Sequence, residues 1–233
     1  MEISPDQWII LYIGPLGINA TIVFTWVIMA LLTLSALLVR LFVSSTGELT
    51  RWQSMWEAII LAMGTQIREV SGQDPGPFLP FVGTLFVFIA ASNILIIVPG
   101  YAPPTGSLST TTALAICVLI AVPFFGMLEK GFFGYLRSYF EPTVFMAPFN
   151  VIGEVSRTIA LAVRLYGNVM SGTVIVGILI SIAPFFFPIV MQLLGLLTGL
   201  IQAYIFAILA MVYIASATRG RANNNETKGE TYD

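Results

Sequence analysis

A chain of 233 residues that is 57% hydrophobic and only 9% charged, with a mean hydropathy of +0.91, is excluded from the soluble classes and reads as a polytopic membrane protein. A net charge of −2 with no basic run excludes a nucleic-acid surface. Histidine is absent and the single cysteine, Cys117, lies in an apolar stretch, which removes the usual near-neutral proton carrier, the usual zinc ligand and any intrachain disulfide.

The N-terminal segment carries Glu2 and Asp6 but no Lys or Arg, so it reads as lacking the basic region of a signal peptide. From Gln7 to Val39 there is no charge, and residues 16–39 are long enough to cross a ~30 Å hydrocarbon core once. Residues 51–70 have a different texture. Trp52, Trp56, Ile59, Ile60, Met63 and Ile67 recur at three- and four-residue steps, with Gln53, Glu57, Gln66 and Glu69 mostly elsewhere on the wheel. This pattern predicts an amphipathic helix along the membrane surface, tryptophans at headgroup level.

Between Asp74 and Glu129 lie 54 uncharged residues, enough for two spans. The break is expected at Pro99–Ser107, where glycine and proline stop a helix, giving spans at 78–98 and 108–128. Glu129–Glu141 is expected to be a charged loop. A fourth span, 146–182, is followed by a turn at Ala183–Pro188, a fifth span at 189–217 and a polar tail at 219–233. No internal repeat is visible, so the whole chain, 1–233, is read as one membrane domain.

Charge asymmetry orients these spans. The N-terminal segment and the turns at Pro99–Ser107 and Ala183–Pro188 contain no Lys or Arg. Arg40, Arg51, Arg68, Lys130, Arg137, Arg219, Arg221 and Lys228 all follow span one, lie between spans three and four, or follow span five. The positive-inside rule then predicts an N-terminus outside and a C-terminus in the cytoplasm.

Arg164 is the exception that organises the chain. It sits deep in the fourth span, and 54 uncharged residues separate it from Arg219. A charge at bilayer depth costs about 2.5–3.5 kcal/mol on insertion scales, so a functional role is the expected reason for keeping it. Snorkelling is disfavoured by the apolar sequence beyond it, while pairing with Glu154 stays open. Spacing puts Glu154, Arg157, Leu161, Arg164, Asn168 and Gly172 on one face, a stripe of about 15 Å at 1.5 Å per residue. It suggests a water-accessible half-channel ending at a fixed positive charge. A Glu154–Arg157 salt bridge is the plainer alternative. If spans four and five form a hairpin about residue 183, Gln202 lies at nearly the depth of Arg164, where its amide can orient a guanidinium without neutralising it. Gln192, Gly195 and Gly199 share the face of Gln202, and the two glycines are read as helix-packing residues.

RLYGN (Arg164–Asn168) together with IQAYIFAILAMVYI (Ile201–Ile214) resembles the a subunit of rotary ATP synthases. EKGFFGYLRSYFEPTVFMAPFN (Glu129–Asn150) and SNILIIVPG (Ser92–Gly100) are similar to that family's connecting loop and second span, and the resemblance covers roughly Trp52 to Ala217. It implies an all-α stator of five transmembrane helices and one interfacial helix. The last two spans would form a long tilted hairpin curving round the c-ring. It implies that Arg164 is essential, with Asn168 and Gln202 as its polar neighbours and Glu154, Arg157, Thr173 and Asn93 on the ion pathway. It further implies the c-ring, a b-type peripheral stalk and the F1 sector as partners, a bacterial plasma membrane location, and H+ or Na+ as the ion. No cofactor is expected, and no G-x-x-x-x-G-K-[ST] loop is present, so the chain is not expected to be an enzyme alone. The sequence departs from the family where acids or histidine are usual: Ile96, Thr173 and Gly195 stand there. The outer half-channel must then use hydroxyls, amides and water. That opens a sodium-translocating branch, because oxygen ligands suit a hard cation, beside proton passage through water. The rival from another class is a stand-alone secondary transporter using Glu154, Arg164 and Gln202, but the repeats and broken helices of such folds are not visible.

Overall fold

The computed structural model describes residues 9–13, 16–42, 51–98, 100–140, 146–182 and 187–218. Strands β1 (Ile9–Ile13) and β2 (Leu16–Asn19) pair antiparallel and lead into α1 (Ala20–Phe42). There follow α2 (Arg51–Ser71), α3 (Leu79–Ile94), α4 (Leu108–Lys130), α5 (Phe132–Phe140), α6 (Met146–Ile182) and α7 (Phe187–Thr218). Five helices are long and apolar enough to cross a membrane: Ala20–Val39, Leu79–Ile97, Leu108–Lys130, Pro148–Ile182 and Phe187–Thr218. The architecture is that of an all-α polytopic membrane protein, with a short strand pair ahead of the first span. The polar tail lies outside the described residues.

Three boundaries differ from expectation. Leu16–Asn19 is strand rather than the first turn of a helix. Gly17 and the preceding Pro15 disfavour helix, while the β-branched and aromatic run IILYI offers a partner. Residues 129–140 are not a loop, and Glu141 lies outside the described residues. The α4 helix continues to Lys130, and Gly131 at φ +76 ends it, its N–H donating to Met127 O at 2.9 Å. A second helix, α5, then starts at once, and its Tyr135 is buried on the bundle. A positive φ is cheap only for glycine, so this one residue converts a continuous helix into a corner. Finally, α7 begins at Phe187, so Pro188 sits in its first turn, where a missing N–H costs nothing.

The core is built on α7. Its buried face carries Gly199, Ala203, Phe206, Ala207, Ala210, Met211 and Ile214. Small side chains there let neighbouring backbones approach closely, which is how helices associate when lipid removes the hydrophobic drive. Leu85, Phe88 and Ile89 of α3, Ala115 and Val118 of α4, and Leu161 and Leu165 of α6 close one cluster around Phe206. Val82, Val122 and Met211 form a second with Met63 and Ile67 of α2. Only one edge of the apolar face of α2 is thereby covered: Ile60 and Leu61 remain outward. Such a helix suits the boundary between protein and headgroups.

The last two helices are too long for a perpendicular crossing. With 37 and 32 residues, α6 and α7 extend about 55 and 48 Å at 1.5 Å per residue, against a hydrocarbon thickness of about 30 Å. Apolar sequence occupies 35 residues of α6, so tilt is the way to keep it out of water.

Candidate ion-translocation site

Arg164 is on the surface of α6, flanked by the fully buried Leu161 and Leu165 and by outward Val163. Among the described residues it makes no hydrogen bond or ion pair. Pairing with Glu154 is therefore absent. The neighbouring surface is made of small residues, Ala160, Gly167 and Ser171, and a side chain at Gly167 would meet nothing within 4 Å. A guanidinium cannot be discharged in a protein. The result is a permanent, unpaired positive charge on a smooth helical face within an apolar span.

Gln202 is the opposite case. Its side chain is 6% exposed, on the packed side of α7, and its Nε2 has no hydrogen-bond partner. An unpaired buried amide donor costs about 1–3 kcal/mol, which the fold does not recover locally. Arg164 precedes Ile182, the end of α6, by 18 residues, and Gln202 follows Phe187, the start of α7, by 15. Asn168, one turn beyond Arg164, is half-buried. Thr173 is exposed, its hydroxyl donating to Val169 O at 3.0 Å inside its own helix.

The predicted polar stripe divides in two. Leu161, which spacing places between Arg157 and Arg164, is buried in the core rather than lining a lumen. Below it, where α4 and α7 end and α6 begins, Lys130, Tyr135, Asn150, Glu154, Arg157 and Ser216 line a polar cleft of ≈ 310 Å³. Arg157 does not form the alternative salt bridge with Glu154. Its guanidinium lies over the Tyr213 ring, 5.5 Å from the centroid, a cation–π arrangement worth roughly 0.5–2 kcal/mol. Glu154, Arg157 and Ser216 also border a smaller cavity of ≈ 20 Å³ that continues toward Val118 and Thr158. Tyr213 lines this smaller cavity with Arg157.

Asn93 is buried, and both ends of its amide are used. Thr105 Oγ1 donates to Asn93 Oδ1 at 3.0 Å, and Asn93 Nδ2 donates to Gly199 O at 2.9 Å. It is placed as a fastener between helices. Nearby, Gln192 Nε2 donates to Ile96 O at 3.0 Å, while Gly195 is half-buried beside open space. Among the described residues no group of His, Cys, Asp and Glu could hold a metal ion.

Tyr213 and Thr105 escaped the sequence reading. Tyr213 stands eleven residues after Gln202, three turns along the same face, so helical spacing could have raised it. Thr105 carries no such signal, since nothing in a proline-rich turn says which hydroxyl will be buried.

Residues 22–215 match the family described as ATP synthase A chain. ATP synthase subunit a 2 of Acaryochloris marina is 55% identical over 99% of this chain and 98% of its own length. ATP synthase subunit a of Albidiferax ferrireducens is 57% identical, covering 95% of this chain and 96% of its own. That of Nitrosospira multiformis is 52% identical over 100% and 92%.

Proposed function

The chain belongs to the ATP synthase A chain family, and from that membership we propose that it works as the stator half of the ion path, with Arg164 as its fixed charge facing the c-ring. It is a membrane subunit of ATP synthase without nucleotide chemistry of its own. The observation carrying the proposal is the unpaired, outward Arg164 in an otherwise apolar span. A charge so placed needs a counter-charge from another chain, and the small residues around it suit the close approach of a rotor helix.

The mechanism follows from charge that cannot be switched off. As a rotor carboxylate comes opposite Arg164, the guanidinium field favours its ionised form and expels the bound ion. The same charge opposes cations that would pass straight between the two access paths. Glu154, Arg157 and the cleft around them form the path on the basic, cytoplasmic side, given an N-terminus outside and a C-terminus inside. On the outer side Asn168, Thr173 and Gln202 offer oxygens and amides where the family often carries titratable groups. That donor chemistry accommodates Na+ as well as a water-borne proton, in a bacterial plasma membrane. Each elementary charge crossing supplies about 2.3 kcal/mol per 100 mV, gathered by the ring and passed to F1 while a peripheral stalk holds the stator still.

Cysteine cross-linking tests the placement. In the whole complex, Ser171→Cys, on the Arg164 face, should form a disulfide with a cysteine placed beside the rotor carboxylate. Ile159→Cys, about 140° round the helix, should not. Cross-linking from Ile159→Cys alone would turn α6 away from the ring and remove the proposal.

A further inference from the structure

We infer that Asn93, held by Thr105, is a positioning residue that locks α7 in register, and so sets the depth at which Gln202 meets the Arg164 charge. The inference rests on the ion-path reading and adds to it a part played by neither an ion ligand nor a charge.

Three observations converge. Asn93 has no exposed surface and spans two elements: its carbonyl takes the Thr105 hydroxyl, its amide gives to the Gly199 carbonyl. Thr105 belongs to a buried 3-10 turn, Pro104–Gly106, so the fastener connects the loop after α3 to the middle of α7. Gly199 is required by this approach: a Cβ there would lie 2.9 Å from Asn93 Cγ and 3.0 Å from its Cβ. Gly199 is three residues before Gln202 on the same buried face. Sliding α7 by one turn would move Gln202 about 5.4 Å along the helix axis. The rest of the packed face of α7, with Ala203, Phe206, Ala207, Ala210, Met211 and Ile214, is held by non-directional apolar contacts, whereas the Asn93 amide hydrogen bond is directional. A stator pushed sideways by a turning ring needs that resistance.

The identity of the atoms gives the test its shape. Thr105→Val removes the hydroxyl that fixes the amide, and Thr105→Ser keeps it. Asn93→Ala removes both hydrogen bonds. Gly199→Ala forces the amide away, and in the double variant Gly199→Ala with Asn93→Ala the obstructing side chain is gone. Each is to be measured in the assembled complex as ions pumped per ATP hydrolysed, normalised to the amount of this subunit in the membrane, with the unaltered complex alongside. Thr105→Val should lower the ratio roughly two- to ten-fold at unchanged subunit amount, the worth of one net hydrogen bond, and Asn93→Ala, which loses two, by at least as much. Thr105→Ser should stay near the unaltered value, and the double variant should exceed Gly199→Ala alone. Full coupling in both Asn93→Ala and Thr105→Val overturns the inference. So does a loss confined to subunit amount, which would make the cluster a folding contact only. If Asn93→Ala fails to assemble, the Thr105 pair decides. No pumping by the unaltered complex would instead strike the ion-path reading itself.

Discussion

Arg164 and Gln202, on the paired helices α6 and α7, differ in surroundings: the guanidinium is outward and unpaired, while the amide is buried with its Nε2 unpartnered. Neither arrangement favours the isolated subunit. Under the proposed function a rotor carboxylate supplies the counter-charge that Arg164 lacks.

Removing the charge should separate assembly from transport. Arg164→Ala is expected to leave subunit amounts near normal, because the side chain contacts nothing in the core, and to abolish ATP-driven transport. Arg164→Lys keeps the charge but loses the planar fork, and should restore little. Blotting of membranes together with pumping assays reads both quantities.

Gln202→Leu gives a cleaner dissection. An unpartnered buried donor contributes nothing favourable to folding, so an apolar side chain of similar size should leave thermal stability of the complex unchanged or slightly raised. Coupled transport should nevertheless fall at least several-fold. Parallel loss of stability and transport would show that the amide has a structural partner.

Tyr213→Phe preserves the ring under Arg157 and should behave like the unaltered protein. Tyr213→Leu removes the ring face, a loss of roughly 0.5–2 kcal/mol, and should free Arg157 into the cleft, where its charge would slow cation exit. Passive ion flux through membranes stripped of F1 is the measurement, with a fall expected only for the leucine variant.

Gly195→Glu tests the outer path. A side chain added there meets nothing within 4 Å, so space is not the obstacle. If water reaches this point, the complex should assemble and its transport acquire a new pH dependence through the carboxylate range, faster above its pKa than below. A dry site would charge about 2.5–3.5 kcal/mol for an ionised carboxylate and reduce subunit amounts instead.

The five spans were legible because apolar length and charge breaks are strong signals, and Arg164 because an uncharged stretch makes one cation conspicuous. Arg164 and Asn93 show the limit. Spacing puts Arg164 on the polar stripe and the family resemblance puts Asn93 on the ion pathway, yet which way a polar side chain turns depends on what packs beside it. Asn93 is enclosed because Gly199 lets α3 approach, a fact of two distant segments. Leu161 broke the predicted stripe for the same reason: α6 has neighbours over part of its circumference, and periodicity does not say where they sit. The Gly131 corner is readable in principle, but the charges of residues 129–140 suggest a loop while their aromatic residues make a helix.

The most direct measurement is ATP-driven transport by the reconstituted whole complex, following interior acidification and radiolabelled sodium uptake in the same proteoliposomes, with and without Arg164→Ala. The unaltered complex should move one of the two ions in step with ATP hydrolysis. Acidification without sodium identifies the proton, and uncoupler-enhanced sodium uptake identifies sodium. Arg164→Ala should move neither. Normal pumping by Arg164→Ala, or transport of neither ion by the unaltered complex, would contradict the central claim.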